Sequence, residues 1–268
     1  MTKKLVRHIL NLSGGKDSAA LAIYLRDRIP GLEYVFCDTK KELPETYEYL
    51  DRLEAYLGRS VIHLDNGGRD FDHHLALRRG FLPSPRNRWC TEELKIKPFE
   101  RYVGNDQVLS YVGLRADEDR QGYVSTKPNI IPKFPFRDEG ITLHDVLRIL
   151  ESLGLGLPRY YWWRSRSGCF FCFYQRKIEW VGLLENHPEL FEEARRYERP
   201  ELGQGYTWCD NESLEELAKP ERVAQIKNEY AESLLKGARK KTDTRLCGLF
   251  NDSLSADTMA EVMKSWKV

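Results

Sequence analysis

Apolar positions along the first 155 residues switch repeatedly between short continuous runs and a helical spacing. The run HILNL, residues 8–12, is a short strand pattern that ends at two glycines; beyond them Leu21, Tyr24, Leu25 and Ile29 mark one helical face. The pattern then repeats. LEYVFCDT, residues 32–39, predicts a second strand, and Pro44 opens a helix that closes near Gly58 with Tyr47, Leu50, Leu53 and Leu57 along one side. SVIHLD and QVLSYVGLR supply two further strands, the latter with too few charges before Arg115 for an exposed edge. This alternation predicts an α/β fold: a doubly wound, Rossmann-like parallel sheet.

After Pro132 the pattern changes. PKFPF precedes a helix with Thr142 at its cap and Leu143, Val146, Leu147, Leu150 and Leu153 on one face, and GLGLP then interrupts the chain. From Arg159 onward an aromatic-rich loop around two cysteines leads into helical segments KIEWVGLLEN, PELFEEARRYE and ESLEELAKPERVAQIKNEYAESLLKG. The expected organisation is an α/β domain over 1–155, the one that carries the glycine loop after the first strand, and a smaller, mostly helical, cysteine-bearing lobe over 156–268. No internal repeat or low-complexity tract is apparent in the sequence.

Charge narrows the partners little. The 268 residues carry a net charge of +1 at pH 7, so any nucleic acid must be met by a local patch rather than by global attraction. MTKKLVRHIL has no long apolar signal core, and no stretch approaches the roughly 20 apolar residues of a membrane span, so a cytoplasmic protein without a membrane partner is expected. In that reducing compartment the six cysteines are read by spacing and not as disulfides.

The turn after the first strand is Ser13-Gly14-Gly15-Lys16-Asp17-Ser18. A strand feeding such a loop into a helix aims unpaired backbone N–H groups and the positive dipole end at one spot, and glycines let an anion approach. It is not a Walker A loop, which needs glycine where this chain has Leu10, and Ser or Thr where it has Asp17. The hexapeptide resembles the signature of the PP-loop ATP pyrophosphatases, whose fold is the adenine nucleotide alpha hydrolase-like one. The resemblance implies that Ser13, Gly14, Gly15, Lys16, Asp17 and Ser18 hold ATP with Mg²⁺. They would grip the β- and γ-phosphates as a pyrophosphate leaving group while an acceptor attacks the α-phosphate.

Two further segments resemble the phosphoadenosine phosphosulfate (PAPS) reductase branch of that family. DTKKELPET makes Asp38 and Thr39 adenosine-side candidates at the carboxyl end of strand two. GLRADEDR makes Arg115 and Arg120 candidates for bidentate contact with phosphate or sulfate. Lys16, Asp17 and Arg115 are the expected catalytic groups.

Cys169 and Cys172 form a C-x-x-C in RSGCFFCFYQRK, Cys90 lies in RNRWCTEELKIKP, and Cys209 and Cys247 follow downstream; Cys37, within a strand, reads as a small buried side chain. A C-x-x-C alone permits a redox dithiol, zinc or an iron–sulfur cluster. The chain is similar to cluster-bearing sulfonucleotide reductases over roughly residues 8 to 198. That similarity implies a 4Fe-4S cluster, with Zn²⁺ as the alternative, on Cys90, Cys169, Cys172 and a fourth ligand, Cys209 or in reserve Cys247. Trp89 stands where that family has a second cysteine of the upstream pair.

The intact loop argues against reduction, because PAPS reductases carry a degenerate one, and RLCGLF around Cys247 lacks the Glu and His of their catalytic segment. The expectation is an ATP-dependent enzyme that adenylylates an oxygen of a nucleic acid for replacement by sulfur, most like DNA phosphorothioation proteins. DNA or RNA would be the substrate, a cysteine desulfurase the sulfur donor, and other modification-complex proteins the partners. Arg159, Arg164, Arg166, Arg176 and Lys177 among the aromatics of RYYWWRSRSGCFFCFYQRK, with Arg78 and Arg79 upstream, suit backbone phosphates and unstacked bases. The alternatives are a sulfonucleotide reductase or sulfate-activating adenylyltransferase, a tRNA thiolation enzyme, and a non-catalytic nucleotide-binding regulator.

Overall fold

The computed structural model describes residues 6–122 and 125–243, with side chains through residue 236. Five strands form one all-parallel sheet in the order β3-β2-β1-β4-β5: β1 is Arg7–Leu12, β2 Glu33–Cys37, β3 Val61–Leu64, β4 Val108–Tyr111 and β5 Ile130–Lys133. Strand alternation divides the core between the two faces of the sheet. Leu10, Leu12, Tyr34 and Phe36 pack with helices α1 (Lys16–Leu25), α2 (Pro44–Leu57) and a later helix, Leu143–Ser152, on one face. Ile9, Val35, Val108 and Ile130 pack with Phe99 and Val103 of helix Lys97–Val103 on the other. Covering both faces is what lets β1, β2 and β4 be nearly continuous apolar runs.

The four strands read from the sequence are present, and QVLSYVGLR is interior, between β1 and β5. Helix α2 begins at Pro44 and ends at Gly58, whose φ of 62° is the left-handed cap and whose N–H donates to the Glu54 carbonyl at 3.0 Å. Among the elements outside the reading are two helices and a strand. Helix α3 (Phe71–Leu77) follows β3; α4 (Lys97–Val103) follows a short helical run from Trp89; and β5 occupies the stretch treated as the edge of a composition change. Strand β5 contains Pro132 and ends the sheet, the position where a missing N–H is tolerated. Helix α5 (Leu143–Ser152) is capped as expected, the Thr142 N–H donating to Asp145 Oδ2 at 2.9 Å.

The chain divides into two compact units. Among the described residues, the first comprises those up to His74 with Trp89–Tyr160 and Arg166–Cys169; the second comprises Leu75–Arg88, Tyr161–Ser165 and those from Phe170 onward. The second unit is built from α6 (Lys177–Asn186), α7 (Pro188–Arg196) and α8 (Pro220–Asp243). The long segment read as one helix from Glu212 is divided, with a turn at Leu214–Leu217 and α8 starting at Pro220, because proline fits only the first turn of a helix. Its core is aromatic: Phe171 stacks on Trp208 at 5.0 Å, Tyr197 meets Phe171 at 5.5 Å, and Trp180 lies 6.0 Å from Trp208.

Candidate active site

The strand order places β1 beside β4, the point where the chain turns to opposite sides of the sheet, so the loops that follow these two strands open a crevice at their carboxyl ends. The loop after β1 is the glycine hexapeptide. Gly14 has φ +70°, and a Cβ there would run into Thr46 Cγ2. Gly15 is the N-cap of α1. Ser18 Oγ accepts from the Ser13 N–H and donates to the Gly15 carbonyl, both at 3.1 Å, and it lies 3.1 Å from Ser13 Oγ. The buried Tyr160 donates its hydroxyl to the Gly14 carbonyl at 2.8 Å, and Ser167 Oγ donates to Ser13 Oγ at 3.2 Å. The loop is thus braced within itself by Ser18 and from outside by Tyr160 and Ser167, while Lys16 Nζ stands 3.4 Å from Asp17 Oδ2.

The loop after β4 meets it. Gly113 packs so closely that a Cβ would lie 2.9 Å from the Asp17 carbonyl. Arg115, its side chain 3 % exposed, donates from Nη1 to Asp17 Oδ1 at 2.8 Å and from Nε to Asp117 Oδ1 at 2.9 Å, with Glu118 Oε1 at 3.3 Å. Burial opposes the guanidinium charge, but Asp17, Asp117 and Glu118 more than offset it and hold the pKa above the ordinary arginine value. Arg120, exposed, pairs with Glu118.

At the end of β2, Asp38 is buried and already engaged. Its Oδ1 accepts from the Lys40 N–H and the Tyr47 hydroxyl, both at 2.8 Å, and its Oδ2 from Lys40 Nζ at 2.6 Å. Burial works against its charge, yet these bonds keep its pKa below the usual carboxylate range. Thr39 Oγ1 donates to Glu42 Oε1 at 3.0 Å and lies 3.2 Å from Cys169 Sγ. The Glu42 side chain, 1 % exposed, has its other oxygen without a hydrogen-bond partner, and Cys169 Sγ lies 3.8 Å from Oε1. The strip Arg166–Cys169 therefore touches both the loop, through Ser167, and the end of β2, through Cys169.

Of the expected nucleotide-site residues, the hexapeptide and Arg115 meet at the switch point; Asp38 and Thr39 line the neighbouring strand end; Arg120 points to solvent beside Glu118. Tyr160, Ser167, Glu42, Asp117 and Glu118 are additions that sequence reading missed. For Asp117 and Glu118 a signal existed in their spacing from Arg115. For Tyr160, 146 positions from its partner Gly14, there was none.

The cysteines are distributed between the units, Cys90 and Cys169 in the first and Cys172 and Cys209 in the second. Among the described residues no group of three or more His, Cys, Asp or Glu side chains comes together to hold a metal ion. Cys209 is buried, and burial pushes its thiol up to about 12. Cys247 lies outside the described residues. Cys37, expected to be a small buried side chain, is half-buried, its thiol donating to the Lys95 carbonyl and pushed up by its surroundings to about 11. In the aromatic segment Tyr160, Tyr161, Phe170 and Phe171 are buried, whereas Trp162 and Tyr174 are exposed. Arg159, Arg166 and Arg176 are exposed. Arg164, grouped with them as a surface charge, is instead buried. No helix among the described residues is long and apolar enough to cross a membrane.

Residues 7–129 match the family model for the phosphoadenosine phosphosulfate reductase domain, the stretch that holds the strands through β4 and the loops just described. Over that stretch the chain is similar to the PAPS reductase domain. A phosphoadenylyl-sulfate reductase from Candida auris shares the fold with a TM-score of 0.50 at 14 % identity, covering 63 % of this chain and 83 % of that one. Two uncharacterised proteins of Methanocaldococcus jannaschii are 28 % and 26 % identical over 72 % and 68 % of this chain. The alignments cover 43 % and 45 % of those relatives, so the chain spans less than half of their length.

Proposed function

We propose that the protein is an ATP pyrophosphatase that adenylylates an oxygen of a nucleic acid, the DNA backbone phosphate being the favoured acceptor, so that sulfur can replace it. One observation carries the reading: the glycine hexapeptide is intact and braced at the switch point, with Lys16 on the first turn of α1 and backbone N–H groups at its positive end. MgATP enters as substrate. The acceptor oxygen attacks the α-phosphorus, the α–β bond breaks, and pyrophosphate leaves with its charge met by Lys16 and the loop N–H groups. The outer sulfur of a persulfide delivered by a cysteine desulfurase then displaces AMP, which carries the oxygen away, and a thiol reductant cleaves the remaining S–S bond to leave sulfur on the phosphate. The exposed Arg159, Arg166 and Arg176, with Trp162 and Tyr174, support a nucleic-acid acceptor by backbone neutralisation and base stacking.

The test incubates anaerobically purified protein with α-labelled MgATP, with DNA, with tRNA and with neither, and resolves AMP from ADP. AMP formed only with nucleic acid is the expected result. ADP and phosphate would refute α–β cleavage, and AMP formed equally without nucleic acid would assign a small acceptor. Iron and zinc content and the absorption spectrum of the same sample test whether the cysteine set Cys90, Cys169, Cys172 and Cys209 holds a 4Fe-4S cluster or zinc: a metal-free, colourless preparation would show that it holds neither.

A further inference from the structure

Arg115 looks like a phosphate ligand in the sequence and is placed otherwise in the fold. Its guanidinium is almost wholly buried and faces three carboxylates: Asp17 at 2.8 Å, Asp117 at 2.9 Å and Glu118 at 3.3 Å. A polyphosphate approaching it directly would have to displace a carboxylate and would meet the others at close range. Asp17 divides its two oxygens, Oδ1 toward Arg115 and Oδ2 toward Lys16 Nζ at 3.4 Å. The chain Arg115–Asp17–Lys16 therefore runs from the loop after β4 to the cation of the glycine loop. Gly113, against the Asp17 carbonyl, keeps the two loops in backbone contact so that the link stays short.

From this geometry we infer that Arg115 is a positioning residue, acting through Asp17 to hold Lys16 at the mouth of the loop, and makes no contact with the phosphates itself. The guanidinium shares the charge of Asp17. Without it the carboxylate is free to swing further onto Lys16, tightening the existing pair with the ammonium and withdrawing it from the anion. The fork of a guanidinium suits the task, because it reaches Asp17 and Asp117 from different nitrogens, which a lysine ammonium does with poorer geometry.

The inference rests on the proposed polyphosphate grip, and a double-mutant cycle separates the two. Calorimetric affinities for inorganic pyrophosphate, MgATP and AMP are measured for wild type, Arg115→Met, Asp17→Asn and the double variant. Arg115→Lys is measured both with Asp17 present and with Asp17→Asn, since it keeps a buried cation and preserves folding if Arg115→Met does not. The expected result is at least a tenfold loss of pyrophosphate and MgATP affinity from Arg115→Met when Asp17 is present. In the Asp17→Asn background the loss should be less than twofold, with AMP affinity unchanged within twofold throughout. Arg115→Lys should give the same contrast with a smaller loss. An equal loss in both backgrounds means direct phosphate contact and overturns the relay; a matching loss for AMP reduces Arg115 to a structural role and also overturns it. A wild-type protein that binds neither pyrophosphate nor MgATP refutes the proposed function itself.

Discussion

Substituting Gly14 by alanine isolates how the glycine loop is shaped. At φ +70° a non-glycine residue costs about 1–2 kcal/mol. The new methyl also runs into Thr46 Cγ2, and overpacking of this kind costs about 1–3 kcal/mol. Together the two effects amount to about 2–5 kcal/mol. With about 2–4 °C per kcal/mol for a chain of this size, the melting temperature should fall by at least about 4 °C. Thr46→Ser removes the colliding methyl but not the backbone penalty, so the double variant should recover part of the loss and never all of it. The assay is thermal unfolding by circular dichroism, with MgATP affinity measured alongside; the loop should bind more weakly in Gly14→Ala and regain affinity with Thr46→Ser. A Gly14→Ala protein that melts within about 1 °C of wild type, or a Thr46→Ser background that rescues nothing, refutes the reasoning.

Two predictions concern other parts of the chain. Gly182 sits inside α6, where alanine ordinarily stabilises by about 0.8–1 kcal/mol, but its Cβ would lie 2.7 Å from Trp163 Cε3 and 3.2 Å from the Trp163 carbonyl. Gly182→Ala should therefore lower the melting temperature, and a rise would show that Trp163 yields. Glu33 accepts a bidentate pair from Arg7 at 2.8 and 2.6 Å, which holds its pKa below the ordinary glutamate value against the opposing effect of burial. Its stabilisation is complete above the ordinary value and is lost as pH falls through the lower folded one. Glu33→Gln should flatten the acid limb of melting temperature against pH, and parallel curves would count against the pair.

The alternation of strand and helix was legible because burial on both faces of a parallel sheet forces continuous apolar runs, and because Pro44 and Gly58 punctuate α2 by their own backbone preferences. Strand β5 and helix α4 escaped for the converse reason. β5 is four residues with a proline, and α4 carries Lys97, Glu100 and Arg101 among its seven residues, so only Phe99, Val103 and Pro98 face inward. Their identity depends on the sheet edge and face that receive them.

The same division runs through the site. By itself the sequence determined the glycine loop, its distinction from a Walker loop through Leu10 and Asp17, and the presence of Asp38, Thr39 and Arg115 at strand ends, because these follow from local backbone chemistry and spacing. Tertiary structure alone decided what those groups touch. Arg115 finds Asp17 across 98 positions, Ser167 reaches Ser13 across 154, and Arg164 is buried despite its charge. Charge and hydrogen-bonding capacity are properties of a residue; whether they meet solvent, substrate or another side chain depends on which distant segments the fold brings within about 3 Å.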